Sequence, residues 1–490
     1  MITRTRASTL LLIVVFLVVA HAQRARADVP KPTVTGPVPA TATPGDRSHN
    51  YPFFASNVGL SLRGYVEEEF FISGTANRYD TPALATARIL DADHPYQTRI
   101  LVRRPVDSRR FNGTVVVEWD NVTNGFDADN LWFFGWEHLM RAGYAWVGVS
   151  AQRVGVDKLR DWNASRYGAL DVTQGGSISN DALQYDIFSQ AAQAIRHPVG
   201  VDPLHGLGPK VVIAAAESQS AFYLSTYVNA IEPLARIYDG YLLLSSRGRQ
   251  IRSDLSVPVW KISTEYDVAA NEAAARQPDT RLFRAWEVAG TSHVDQHLRE
   301  GREPLELRDL GTSSEAALAT QCADPTLGTR VPTSDVLGAA FEHLGRWITK
   351  RIAPPRAPKI EITSLGVPVL NPTSGFAQTP AVLARDALGL ARGGIRLSQV
   401  AVPTGLNVGT NSGPDACVRW GYYVPFDVAK LTALYPDHAR YVARVAAITN
   451  ANVRNGFILP ADAQRAISAA DGDALFDAWN LKGPSSVKRP

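Results

Sequence analysis

Apolar and polar positions along the chain fall into distinct regimes. Between about residue 113 and residue 352, short unbroken apolar runs alternate with longer stretches of helical period. The runs lie at 113–119, 144–150, 211–216 and 235–244, then at 257–268 and 283–295, where each ends in polar residues. Runs this short and this uniformly apolar predict strands buried on both faces, as in a parallel sheet. Helices are predicted at 131–141, 181–196, 221–231 and 334–352; the last has Leu337, Phe341, Leu344 and Ile348 on one face and stops at Pro354-Pro355. Before this region, 28–55 is rich in Pro, Thr and Ala and reads as an extended arm. Residues 64–74 and 98–105 read as strands of an antiparallel edge. After residue 356 the rhythm changes to a loop-rich stretch, with helices near 427–434, 437–449 and 460–480. The fold class expected is α/β: a mostly parallel central sheet flanked by helices, with N-terminal antiparallel strands and a mainly helical C-terminal extension. No internal repeat is visible.

The N-terminus does not belong to that architecture. Arg4 and Arg6 precede an apolar run from Leu10 to Ala20, followed by Ala20-His21-Ala22 and Ala25-Arg26-Ala27. This is the pattern of a secretory signal peptide, with cleavage expected after Ala27 and after Ala22 as the second choice. The expected division is therefore 1–27 as signal, 28–355 as the main domain, and 356–490 as an extension packed on it and able to act as a lid. The protein is expected to be secreted or periplasmic. No other stretch approaches membrane-spanning length, so no stable membrane span is expected after cleavage. The formal net charge of +3 includes the signal arginines, and the remainder is nearly neutral. With no basic patch interleaved with aromatics, nucleic acid is not an expected partner. Of the two cysteines, Cys322 and Cys417, a disulfide is expected in an oxidising compartment, tying the C-terminal region to the core; two buried thiols are the alternative.

Candidate chemistry begins at Ala216-Glu217-Ser218-Gln219-Ser220, between an apolar strand and a helical stretch. Small residues flank the central serine, as a tight strand-to-helix turn requires if it is to hold a nucleophile exposed. The plainer reading is a serine that caps the helix. Two later strands supply partners. One ends in Glu265-Tyr266-Asp267 and the next in Gly290-Thr291-Ser292-His293. Serine, acid, then histidine after successive strands is the order of the α/β-hydrolase fold. Asp267 is preferred as the acid because it lies later in the loop. Glu265 is the alternative, since on an extended strand end the two side chains share a face. For an oxyanion, the expected donors are the backbone N–H of Gln219 and of Asn121 or Val122, in the loop after strand 113–119. Trp119, Gln152, Trp162 and Tyr167 are candidate pocket residues, with core packing as the alternative. The gap 245–256 is too short for a folded lid, so substrate cover must come from 152–180 or from the C-terminal region. His293-Val294-Asp295-Gln296-His297 has a weak ligand-like spacing, but no second cluster accompanies it, so neither metal nor cofactor is expected. The sequons at Asn112, Asn121 and Asn163 read as chance matches, since a glycan on Asn121 would block the donor loop.

Together these segments resemble the secreted bacterial "alpha/beta hydrolase domain" family, over nearly the whole mature chain. The resemblance rests on Gly64-Tyr65-Val66-Glu67-Glu68-Glu69-Phe70-Phe71, Val116-Val117-Glu118-Trp119-Asp120-Asn121-Val122 and Glu217-Ser218-Gln219-Ser220-Ala221. It extends through the segment from Trp286 to Asp295 and Leu434-Tyr435-Pro436-Asp437-His438. It implies a serine carboxylic-ester hydrolase acting on a small-molecule ester, with Ser218 as nucleophile and His293 as base. The family usually has Gly where this chain has Ala216, which an elbow accommodates if the backbone there stays at negative φ. A serine peptidase or an acyltransferase would use the same three residues, and an inactive hydrolase-fold binding protein is the alternative outside enzymes. Substrate identity and oligomeric state are not fixed by the sequence.

Overall fold

A computed structural model describes residues 29–178, 180–313, 320–324, 328–370, 377–414 and 416–472. The segment read as a signal peptide lies outside the described residues, as do 473–480 of the last expected helix.

Ten strands form one sheet: β1 (Thr33–Thr35), β2 (Tyr65–Tyr79), β3 (Ile89–Pro105), β4 (Thr114–Trp119), β5 (Ala145–Val149), β6 (Val199–Gly200), β7 (Val211–Glu217), β8 (Gly240–Leu244), β9 (Val259–Thr264) and β10 (Phe283–Val288). Their spatial order is β10-β9-β8-β7-β4-β5-β3-β2-β1-β6. From β5 to β10 every neighbouring pair is parallel. β3 then joins β5, and β2 joins β3, in antiparallel register. Every residue of β4, β5, β7, β8 and β9 is buried, because helices cover both faces of the parallel half. This is why those strands read as unbroken apolar runs.

The β2–β3 hairpin is longer than its apolar pattern predicts. Its outer end carries Asp91, Asp93 and His94 rather than an alternating apolar face, and it is mostly exposed. Polar pairing takes over there: Arg78 on β2 meets Asp91 on β3, and His94 Nε2 lies 2.7 Å from Asp91 Oδ1. The helix expected at 221–231 is also broken differently. A regular helix covers Gln219–Thr226, and a wider turn at Tyr227–Ile231 leads into Glu232–Ala235.

Beyond residue 355 the chain returns to the open edge of β10. Ala289 N–H donates to Ile395 O at 3.0 Å and Ile395 N–H to Glu287 O at 2.8 Å, extending the sheet by a single bridge. Ile360, Leu390, Ile395, Val400 and Trp420 join the core of the main sheet. A smaller apolar cluster around Phe426, Leu431, Tyr435, Tyr441 and Val445 holds the helices Val428–Leu434, His438–Arg454 and Pro460–Asp471 together. The stretch before them forms short two-stranded sheets, such as Gly405–Val408 with Tyr422–Pro425. Cys322 and Cys417 are joined in a disulfide that links this extension to the segment after helix Gln296–Leu310. Among the described residues no helix is long and apolar enough to cross a membrane.

Candidate active site

The site is built where β7 meets the helix Gln219–Thr226. Ser218 sits between them at φ 60° and ψ −118°, a conformation that costs a non-glycine residue energy and that tight packing must hold. Its N–H stays in the sheet, donating to Leu244 O on β8 at 2.9 Å, and its C=O accepts from Phe222 N–H at 3.0 Å. Ala216 and Ser220 on either side are fully buried, so larger side chains would not fit. The positive φ falls on Ser218 itself and Ala216 is not among the positive-φ residues, which explains why alanine suffices where a glycine is usual. Ser218 stands at the helix N-cap position, but its side chain makes no capping hydrogen bond and is left for other chemistry.

His293 lies in the loop after β10, with Nε2 2.7 Å from Ser218 Oγ and Nδ1 3.0 Å from Asp267 Oδ1. A carboxylate at Nδ1 fixes the proton there and leaves Nε2 as the acceptor facing the serine hydroxyl. Asp267 Oδ2 accepts from Ser245 Oγ at 2.6 Å, Thr264 N–H at 2.9 Å and Thr264 Oγ1 at 2.6 Å. Burial alone would raise the Asp267 pKa, but the charge of His293 and the hydrogen bonds from His293, Ser245 and Thr264 hold it below the usual carboxylate value. Ser218, Asp267 and His293 are each at most 5% exposed.

The expectation that Glu265 and Asp267 share a face is overturned. The strand stops at Thr264, which caps a helix over Glu265–Ala270 in a reciprocal box with Asp267. On a helix, residues two apart diverge by about 200°. Asp267 accordingly turns towards His293. Glu265 turns towards the extension, accepting from Gly290 N–H at 2.6 Å, Arg385 Nη2 at 2.9 Å and Gly409 N–H at 3.2 Å.

The donor loop after β4 needs one correction. Asn121 N–H is already spent on Ala128 O at 2.9 Å, so it is not free for an oxyanion. Its side chain instead ties the loop to the end of β7, donating to Glu217 O at 2.9 Å. Val122 N–H faces the turn and makes a long 3.4 Å contact with Gln219 Oε1. Gln219 N–H is one of the helix-start donors without an intrahelical acceptor.

A cavity of about 280 Å³ opens over Ser218 and His293. Its floor includes Asn121, Asn130 and Glu217; its roof comes from Leu298 and Arg302 on the helix Gln296–Leu310, and from Gln321, Ala416, Arg419 and Trp420 around the disulfide. Most of the pocket residues read from the sequence lie elsewhere. Trp119 is buried beneath the sheet, stacked on Phe188 with ring centroids 4.6 Å apart. Trp162 stacks on His49 and donates Nε1–H to Asp309 O at 3.0 Å. Tyr167 donates its hydroxyl to Glu69 Oε1 at 2.8 Å. Trp162 and Tyr167 bind the connection after β5 to the N-terminal arm and to β2, and none of the three lines the cavity. Gln152 comes nearest, accepting from Gln219 Nε2 at 3.0 Å and so orienting the carboxamide that touches Val122.

Sequence reasoning passed over Glu217 as a site residue. Its Oε1 lies 3.3 Å from His293 Nε2, and its Oε2 accepts from Asn130 Nδ2 at 2.8 Å and Asn121 Nδ2 at 3.3 Å. Burial raises its pKa, against the opposing charge of His293 and the Asn130 hydrogen bond. The C-terminal region was a candidate for substrate cover, but its cavity-lining residues Ala416, Arg419 and Trp420 were not singled out, although Cys417 lies next to Ala416 and within three residues of Trp420. Asp295 of the His-x-Asp-x-His run caps the helix Gln296–Leu310, and among the described residues no group of three or more His, Cys, Asp or Glu side chains is placed to hold a metal ion.

A parallel sheet with a strained serine after a central strand, and histidine and aspartate brought to it from the strands beyond, defines the α/β-hydrolase fold. The chain belongs to the alpha/beta hydrolase domain family, which matches residues 34–468. Among solved structures it resembles the esterase Est22, at 11% identity and a TM-score of 0.26, over 43% of this chain and 67% of that one. It also resembles XC6422 from Xanthomonas campestris, described as an a/b serine hydrolase without lid, at 15% identity and a TM-score of 0.27, over 49% of this chain and 95% of that one. An alpha-beta serine hydrolase homologue from Coxiella burnetii matches at 12% identity and a TM-score of 0.25, over 44% and 93%. None of these overlaps is close enough to bear on substrate. No curated protein matches the chain.

Proposed function

We propose that the protein is an exported serine hydrolase that cleaves carboxylic esters through an acyl-enzyme. The observation that carries this reading is the unbroken hydrogen-bonded chain from Ser218 Oγ through His293 to Asp267, at the floor of the cavity. A serine hydroxyl is a weak nucleophile at neutral pH and needs a base in contact with it. His293 Nε2 would take the Ser218 proton as Oγ attacks the ester carbonyl, and then deliver it to the departing alcohol. The negative oxygen of the tetrahedral adduct would be held by the N–H groups of Gln219 and Val122, with the Gln219 carboxamide yielding its contact to Val122. Asp267 holds the Nδ1–H tautomer and offsets the imidazolium charge. Water, activated by the same histidine, would release the acid and restore Ser218. Export is supported by the N-terminal signal pattern and by the Cys322–Cys417 disulfide, which suits an oxidising compartment.

The purified protein should therefore turn over p-nitrophenyl acetate and butyrate, with no loss of rate in a metal chelator. A rate abolished by the chelator, or no turnover of either ester, would count against this reading.

A further inference from the structure

The charges around the cavity are unbalanced. Among the described residues its one carboxyl is Glu217, on the floor, held by the amides of Asn121 and Asn130 and directed towards His293. The roof presents two guanidinium groups. Arg302 is buried and offset by Glu306, with Nε 3.0 Å from Oε1. Arg419 is different. Its backbone is fixed beside the histidine, since Val294 N–H donates to Arg419 O at 3.0 Å, and its side chain lines the cavity. Among the described residues that side chain makes no hydrogen bond or ion pair.

A third arginine lies outside the cavity lining but within electrostatic reach of Arg419. Arg247 lies on the loop after β8, two residues beyond Ser245, whose hydroxyl holds Asp267. It is partly buried, and among the described residues its guanidinium also has no hydrogen-bond or ion-pair partner. Burial first, and then the charge of Arg419, lower its pKa, while Glu217, Tyr266 and Asp267 pull the other way. A partly desolvated guanidinium with no anionic partner among the described residues, as at Arg419, carries a cost that a bound anion would offset.

Resting on the hydrolase reading, we propose that the substrate is an anionic ester, one whose acyl or alcohol part ends in a carboxylate seated against Arg419. The placement of Glu217 fits: held on the floor by Asn121 and Asn130, it leaves the arginine side of the cavity as the place for a second acidic group. The volume, about 280 Å³, is just below the roughly 300–1,000 Å³ usual for small-molecule pockets, so the ester should be a small one.

Two pairs of esters test this. Mono-4-nitrophenyl glutarate against p-nitrophenyl butyrate places the carboxylate on the acyl side. The compound 4-acetoxybenzoate against its methyl ester places it on the leaving group. In one pair the anionic member should have the higher kcat/KM, by about 10-fold or more. Arg419→Met should lower kcat/KM for that ester about 10-fold more than for its neutral partner, mainly through KM, and Arg419→Lys should restore part of the preference. Equal or better turnover of both neutral esters by the wild type, or an equal loss on both members in Arg419→Met, overturns the inference while leaving the hydrolase reading standing. No turnover of any of the four, with no fluorophosphonate adduct on Ser218, overturns the hydrolase reading and this inference with it.

Discussion

Ser218→Ala should reduce ester turnover by a factor on the order of 10⁵–10⁶, with no loss of folded protein. The size follows from what is removed. Without Oγ, His293 Nε2 has no hydroxyl to activate, and no covalent intermediate divides the reaction into two steps. What remains is binding and the two backbone donors, worth on the order of 10³–10⁴ over water in comparable sites. Folding should be spared because the Ser218 backbone, not its hydroxyl, carries the sheet and helix hydrogen bonds, and alanine is the smallest side chain that keeps them. Turnover and thermal melting measured on the same sample check both halves. A variant that keeps more than about a tenth of wild-type activity would place the nucleophile elsewhere.

Asp267→Asn and Glu265→Gln should separate cleanly, although the two acids lie only two residues apart. In Asp267→Asn an amide N–H can face His293 Nδ1, which forces the ring proton onto Nε2, where Ser218 needs an acceptor. A loss of about 10⁴ in kcat is expected, as for other triads with this exchange. Glu265→Gln removes a charge that accepts from Arg385, Gly290 and Gly409 away from the imidazole. Its cost should be stability, about 1.5–3 kcal/mol, seen as a melting point lower by several degrees with kcat changed only a few-fold. A larger kcat loss in Glu265→Gln than in Asp267→Asn would reverse the assignment.

The parallel half of the sheet was legible because burial on both faces leaves strands with little choice but apolar residues, as in Val211–Glu217 and Gly240–Leu244. The order of serine, acid and histidine was legible for a related reason: each follows a strand that could be recognised. The orientation of the two acids was not, because it turns on whether the chain beyond Thr264 stays extended. One local signal was present: Thr264 followed by Asp267 three residues on has the spacing of a capping box and announces a helix start. The aromatic residues near the site misled for the opposite reason. Nothing local distinguishes Trp119 under the sheet from Trp420 over the cavity; only the return of the extension to β10 and the Cys322–Cys417 link decide which ring lines the cavity. Val122 and Asn121 show the same limit at finer scale, since a single bridge to Ala128 determines which N–H is committed to the backbone.

The central claim is that Ser218 is the nucleophile, activated by His293. Reaction with a fluorophosphonate, followed by peptide mass mapping, tests it most directly. The account predicts one adduct per chain, on Ser218, absent in Ser218→Ala and strongly slowed in His293→Ala. Labelling at another residue, or none in folded wild-type protein, would contradict it.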